Sequence, residues 1–337
     1  MIKLNVGGEW WVVCGNGLNR GLCRLLLSFF LLLATHYSPL TTHRLYAVPT
    51  GMSFLKYAVG AKANAMGGAY LAQAQDASAI YWNPSAIASM PSSELFFYRS
   101  QFVLASNYNY AAYVHPFKTH KAAYGLAYAS YSQGSLDARD SSGNSLGSYA
   151  AADSLATFSF ARKVNSKLSL GMGLNILQSS IGSFSANGWA FDLASTYKYS
   201  ARTRFAAGLF HAGPKMQYIT ESFSLPTTLG FGVSHQFLTQ FNLGLDTRYR
   251  LYDQNLSLSL GADVNLGEVM SFQMGYLSSL KGSGVGGQGS GMDALSGLGM
   301  GIGLKLFSKV NLDYAFVPMV DLGATHHVSL TWRFSRD

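Results

Sequence analysis

Charge is what this 337-residue chain has least of: Asp, Glu, Lys and Arg make up 12% of it, against 48% hydrophobic residues. A soluble domain carries about twice that share of charge. Cysteine is nearly absent too. The two cysteines, Cys14 and Cys23, both lie before residue 48, so the rest of the chain has no disulfide, no thiolate metal site and no Cys nucleophile. After residue 47 no apolar run approaches the ~18 residues that a membrane-spanning helix needs. Low charge without such a helix leaves one membrane architecture to test, the closed β-barrel, in which every backbone group is satisfied between strands.

Arg20 and Arg24 precede an apolar run from Leu25 to Ala34. At about ten residues it is too short to span a bilayer and the right size for a secretory h-region. The expectation is a signal peptide over residues 1–47, cut after Ala47, with a long n-region that points to a start downstream of Met1. A buried helix of a cytosolic domain is the alternative, and no helical period follows to support it. Cys23 precedes the run and is badly placed for lipid attachment. The chain's net charge of +8 includes Lys3, Arg20, Arg24 and Arg44 of this leader. The remaining Lys and Arg are scattered singly, which argues against a nucleic-acid partner.

Period two is the strongest pattern. In "LSLGMGLNI", Leu168, Leu170, Met172, Leu174 and Ile176 alternate with Ser169, Gly171, Gly173 and Asn175. "FNLGLDTRYRL", "LSLSLGADVNL", "LGMGIGLKLF" and "VSLTWRF" split the same way, as strands with one apolar and one polar or small face do. Such strands suit a soluble sandwich or a membrane barrel. Fourteen are expected, near 95–104, 107–117, 121–132, 154–164, 167–178, 188–199, 203–212, 227–238, 240–251, 255–266, 269–280, 297–307, 309–318 and 326–335. The number is even, as in single-chain bacterial barrels, and tight connections alternate with long ones at 133–153, 179–187, 213–226 and 281–296. Placing the tight turns in the periplasm makes the long loops extracellular. Aromatics such as Tyr108, Tyr110, Trp189, Tyr197, Tyr249 and Trp332 gather near strand ends, where girdles would lie. The fold class is therefore an all-β transmembrane antiparallel barrel in the bacterial outer membrane, spanning residues 93–337.

Parity puts Asp192, Lys198, Asp246, Arg248, Arg250, Asp263, Lys305, Asp313 and Arg333 on the lumen face. Mixed charges there are expected to pair across strands and with backbone groups, since isolated charges in a confined space are costly. The neighbouring inward positions are largely Gly, Ala and Ser, so Gly171→Ser is expected to be nearly neutral. A fourteen-strand barrel is wider than its own side chains fill. Residues 48–92 are expected to form an N-terminal hatch in that space: glycines allow close approach to the wall, Asp76 caps a short helix over "ASAIYW", and Asn83 before Pro84 ends it. Tyr81 and Trp82 are the expected anchors.

The same segment, "FLKYAVGAKANAMGGAYLAQAQDASAIYWNPSAIA", resembles the amino-terminal signature of the PorV/PorQ family of outer-membrane proteins, with Val59 to Ala69 and Asp76 to Ala88 supplying its two phrases. The motif positions are Gly60, Met66, Gly67, Gly68, Asp76, Tyr81, Trp82, Asn83 and Pro84. Residues Asp313 to Phe334 resemble the family's closing strands. Departures are Lys62 for an arginine, Gln75 for an acid, Ser85 for an alanine, and three residues after Phe334. The resemblance implies a FadL-like plugged barrel associated with type IX secretion, whose partners are exported proteins or secretion-system subunits.

Catalytic or metal chemistry finds no support. "GSGVGG" matches G-x-G-x-x-G at Gly282, Gly284 and Gly287 without a helix to follow. His326 and His327 are adjacent and point to opposite strand faces, as do Ser234 and His235; His115, His211 and His235 are each single. A non-enzyme without cofactor or metal is expected. Two functions stay open: a protein-export barrel gripping its partner by extracellular loops, and a FadL-like channel for small hydrophobic molecules, both surrounded by outer-membrane lipid.

Overall fold

Strict alternation builds a wall with two unlike faces. The computed structural model describes residues 3–6, 9–12, 50–102, 106–117, 121–281, 297–307, 309–319 and 323–334. Fourteen antiparallel strands close into one barrel. They are β1 (Glu94–Gln101), β2 (Asn107–Phe117), β3 (Ala122–Arg139), β4 (Ser145–Lys163), β5 (Leu168–Ile181), β6 (Phe184–Lys198), β7 (Thr203–Ala212), β8 (Thr228–Leu238), β9 (Phe241–Arg250), β10 (Asn255–Leu266), β11 (Met270–Lys281), β12 (Leu298–Leu306), β13 (Val310–Met319) and β14 (Gly323–Arg333). Each strand pairs with its neighbour in sequence, and β14 pairs with β1, Arg333 opposite Glu94. Closure leaves no free edge.

The face that looks outward is the apolar one. On β5, Ser169, Asn175 and Ser179 are buried, whereas Leu170, Met172, Leu174 and Ile176 are 47–55% exposed. The same inversion recurs at Leu245, Leu258, Leu260, Phe272, Met274, Met300 and Leu330. A contiguous outward apolar belt of this extent is incompatible with water and fits lipid. No helix among the described residues is long and apolar enough to cross a membrane; the strands cross it.

Two expected loops are strand instead. Most of 133–153 continues the ladder, with Asp137 opposite Ser148 and Arg139 opposite Ser145. It is amphipathic too weakly for period two to reveal it, being polar on both faces beyond the belt. Asp140 closes its tip: the side-chain amide and backbone N–H of Asn144 and the N–H of Ser142 donate to its carboxylate and hold it below its usual range. Residues 179–187 likewise form a tight hairpin, Ile181 opposite Phe184. The connection after β7 carries a small hairpin, Met216–Tyr218 with Glu221–Phe223. Near the start of the chain, Lys3–Val6 pairs with Glu9–Val12. The rest of residues 1–47, and Gly282, Gly284 and Gly287, lie outside the described residues.

Ahead of the wall, residues 50–90 are compact and short-ranged. They form a 3₁₀ turn at Ser53–Lys56, helix α1 (Ala61–Ala65), helix α2 (Ala79–Trp82) and a second 3₁₀ turn at Pro84–Ser89. Alanines favour the short helices. Gly60 enters α1 at a φ of 97°. Asn83 ends α2, and its side chain accepts from Ser85 N at 3.1 Å to start the next turn, with Pro84 in the first position.

Candidate functional site

The inward face of the barrel and the segment Thr50–Met90 are packed together. Asp246 on β9 accepts the backbone N–H groups of Tyr70 (2.8 Å) and Leu71 (2.7 Å). Asn83 donates to Thr196 on β6 at 2.8 Å and to Leu71 O at 2.9 Å. Lys62 reaches Asp263 on β10 at 2.8 Å. Small wall residues make these approaches feasible. A Cβ on Gly171 would stand 2.3 Å from Ser85 N, so the wall needs glycine there, contrary to the expectation of tolerance. Gly67, at φ +60°, lies so close to the backbone of Tyr276 that an added Cβ would fall 2.7 Å from it.

Within the segment, Trp82 is fully buried and donates from Nε1 to Val59 O at 2.7 Å. Arg248 stacks over its ring and donates to Gly68 O at 3.3 Å. Tyr81 donates to Tyr57 O (2.8 Å) and Leu55 O (3.1 Å), tying the segment to itself, while its ring meets that of His211 on β7. Asp76 accepts from Tyr70 Oη at 2.7 Å and from Ser78 N at 3.0 Å; α2 begins after Ser78 with no side-chain cap of its own. Met66 and Pro84 are buried; the carbonyl of Met66 lies against Gly261 and Gly275 of β10 and β11.

The nine lumen charges face inward, and their partners lie on other strands, on the backbone and on the N-terminal segment. Asp192 accepts from Asn175 (2.7 Å) and from His211 N (2.6 Å). Lys305 donates to Asn265 at 2.7 Å. Asp246 and Arg248 share one strand face at 3.7 Å. Asp263 is matched by Lys62, and Arg333 by Glu94 at 2.9 Å. Lys198, Arg250 and Asp313 are not drawn into these contacts; Arg250 and Asp313 line cavities. Asp192, Lys305 and Arg333 find partners on other strands, and the N-terminal segment supplies those of Asp246, Arg248 and Asp263. Sequence reasoning missed Glu94, Lys62 and Lys56. Glu94 shares the inward parity of Phe96, one step beyond the expected strand start; no local signal marks the two lysines.

Two internal cavities flank the segment. One, about 150 Å³, lies toward the long connections among Leu55, Tyr81, Trp82, Phe210, His211 and Arg250. The other, about 250 Å³, lies at the tight-turn end and is polar, with Lys62, Asp76, Asp263, Lys305 and Asp313 around it. Gly67 and Gly68 face the first and Tyr70 the second. Above the first cavity, in the turn after β9, Asp253 accepts from Lys56 (2.8 Å) and Thr50 (2.7 Å). Partial burial pushes its carboxyl up, and these two donors together outweigh that and hold it below its ordinary value.

The histidines are dispersed. His327 is buried and contacts Tyr98 at 2.8 Å, while His326 points outward to Tyr314 at 2.7 Å. His115 meets Ser93 and His235 meets Thr203. Among the described residues no group of three His, Cys, Asp or Glu could hold a metal.

No family profile matches the chain, and no curated protein matches its sequence. Solved structures do match in fold. A monoaromatic hydrocarbon channel, CymD, is 15% identical over 86% of this chain and 100% of its own, with a TM-score of 0.62. The Ralstonia pickettii toluene transporter TbuX is 15% identical over 82% and 98%, at 0.59. A Pseudomonas aeruginosa FadL homologue is 12% identical over 83% and 99%, at 0.58. The fold is that of FadL-type barrels, and the outward apolar belt on such a barrel makes this a protein of the bacterial outer membrane.

Proposed function

We propose that the chain is a non-enzymatic, FadL-like conduit for small hydrophobic molecules, with residues 48–92 acting as its hatch. One observation carries the reading: the N-terminal segment separates an aromatic-lined cavity near the long connections from a polar one near the tight turns. A molecule entering the first meets Trp82, Tyr81, Phe210 and Leu55, which suit an apolar guest. To go further it must displace the segment. The solved barrels of the same fold are described as hydrocarbon channels and toluene transporters, and that supports the substrate class.

The test is toluene uptake by cells expressing the intact chain, the Trp82→Ala variant, or an unrelated barrel of similar size. Uptake above the unrelated barrel supports the reading. Equal uptake in all three removes it.

A second reading, attachment of an exported protein at the cell surface, has its own support in the β3–β4 hairpin. Asp137, Arg139 and Asp140 stand beyond the apolar belt on a polar ribbon suited to protein contact. The PorV/PorQ-like phrases at Val59–Ala69 and Asp76–Ala88 favour it too, but none of the barrels of similar fold named above is described as a secretion component. Pulldown from outer membranes with the hairpin intact or shortened separates the two.

A further inference from the structure

Among the described residues the apolar belt is breached on one side of the barrel. On β5 the outward series Leu170, Met172, Leu174, Ile176 stays apolar across the wall. On four adjacent strands it does not. Moving toward the long connections, β1 presents Leu95, Phe97, then Arg99 and Gln101; β2 presents Tyr113, Ala111, then Asn109 and Asn107. On β3 Leu126 and Tyr128 give way to Ser130 and Ser132, and on β14 Leu330 and Val328 give way to His326. Register joins them into one patch: Arg99 opposes Val328 and Asn109, Asn109 opposes Ser130, and Gln101 opposes His326 and Asn107.

Arg99 is the centre of the breach. Among the described residues of the wall, the other Asp, Glu, Lys and Arg side chains face inward or stand at or beyond the rims. A cation on the lipid face is destabilising by about 2–4 kcal/mol at the midplane, so its presence calls for a compensating anion. Its polar contact is a long one, Nη2 to Asn107 Oδ1 at 3.4 Å, and among the described residues it has no carboxylate partner.

The patch coincides with a groove of about 390 Å³ on the outer wall. Its lining is graded. Phe97, Ala111, Val328 and Leu330 form the apolar part, and Arg99, Asn109 and Ser130 the polar part nearer the long connections. That is the polarity of a phospholipid lying along the wall, chain low and headgroup high. Arginine is long enough to carry its charge toward the headgroup layer while its methylenes stay in the belt, and its planar fork matches phosphate.

We propose that this groove seats a phosphate-bearing lipid of the leaflet on the long-connection side, its phosphate on Arg99 with Gln101, Asn107 and Asn109 around it and an acyl chain on Phe97, Val328 and Leu330. An acidic residue of a membrane-embedded partner is disfavoured. It would have to be buried at belt depth, whereas the amides above Arg99 lead toward the rim.

The experiment is native mass spectrometry of the full-length protein released from detergent, with added dioleoyl phosphatidylglycerol or dioleoylglycerol. Retention of phosphatidylglycerol is expected to exceed that of the phosphate-free lipid about tenfold. Arg99→Gln should abolish that preference, Arg99→Lys should keep part of it, and the lumenal Lys198→Gln should leave it unchanged. Gel mobility of heated and unheated samples shows that each variant is folded. Undiminished preference in Arg99→Gln, or equal retention of dioleoylglycerol by the unmodified protein, overturns the proposal. So does loss of bound lipid on adding millimolar inorganic phosphate, which would make the site one for free anions.

Discussion

Arg248 lies 4.1 Å above the centroid of the Trp82 ring and reaches Asp246 at 3.7 Å. Asp246 in turn holds the backbone of Tyr70 and Leu71. One wall strand, β9, therefore grips the N-terminal segment at its indole and at its turn. Trp82→Ala should lose about 3–5 kcal/mol through cavity formation and lost burial. Single-channel recordings in planar bilayers should show a small leak for Trp82→Ala and a larger one after deletion of residues 54–90. Identical traces for all three proteins would mean that the segment does not close the lumen.

Substitutions on one strand separate the two faces of the wall. Leu174→Arg, opposite Phe158 and Phe191, places a cation in the lipid belt and should destabilise by about 2–4 kcal/mol. Gly171→Ser, on the inward face of the same strand, drives a side chain into the backbone at Ser85 and should cost about 1–3 kcal/mol. Denaturant titration in detergent micelles measures the second in isolation, and only transfer to bilayers should reveal the first in full. A Gly171→Ser protein as stable as its parent in both media would contradict the close packing.

Asp253 gives the segment a pH dependence. Its carboxyl is held below the ordinary 3.8 by Lys56 and Thr50, so the folded form favours the ionised state. The stabilisation is present in full above that ordinary value and is lost as pH falls through the lower, folded one. Protease sensitivity at Lys56 should stay flat from pH 8 to 5 and rise only below about pH 4. Asp253→Asn should be sensitive throughout; a rise between pH 7 and 5 in the unmodified protein would point to another group.

Glu94 joins three parts of the molecule. Its carboxylate accepts from Arg333 Nε at 2.9 Å across the β1–β14 seam and from Ala77 N at 2.6 Å. Glu94→Ala strands a cation and a buried N–H, and should cost about 2–4 kcal/mol. The expected sign is a lower temperature for loss of the compact band in semi-native gels. Glu94→Gln, whose single amide oxygen can keep one of the two bonds, should recover part of it.

Topology is checked by tags. One at Ser141, in the turn after β3, should be labelled on intact cells, and one at Asn165, in the tight turn after β4, should not. Labelling at Asn165 would reverse the orientation.

The wall was legible because period two writes each face separately into the sequence, and all fourteen strands lie where alternation puts them. The β3–β4 ribbon was not, since residues 133–153 leave the belt and lose the contrast between faces. The segment's helices could be read from Asn83-Pro84 and the alanines, but its partners could not. Lys62 and Asp263 lie far apart in sequence, and only barrel closure brings them together. Parity also identified inward charges without saying what faces them.

The seam between β1 and β14 joins residues 239 positions apart. Contacts of such separation form late, after the loop entropy of the whole wall has been overcome. The segment that precedes β1 nevertheless ends up inside, with Gly67 wedged against Tyr276 and Ser85 against Gly171. A finished cylinder would have to be entered past those close contacts. The kinetically open route is for the sheet to curl around a core already collapsed on its first strands. Any machinery that inserts this chain must therefore hold the seam apart until the N-terminal residues are seated, and a premature closure would leave them trapped outside.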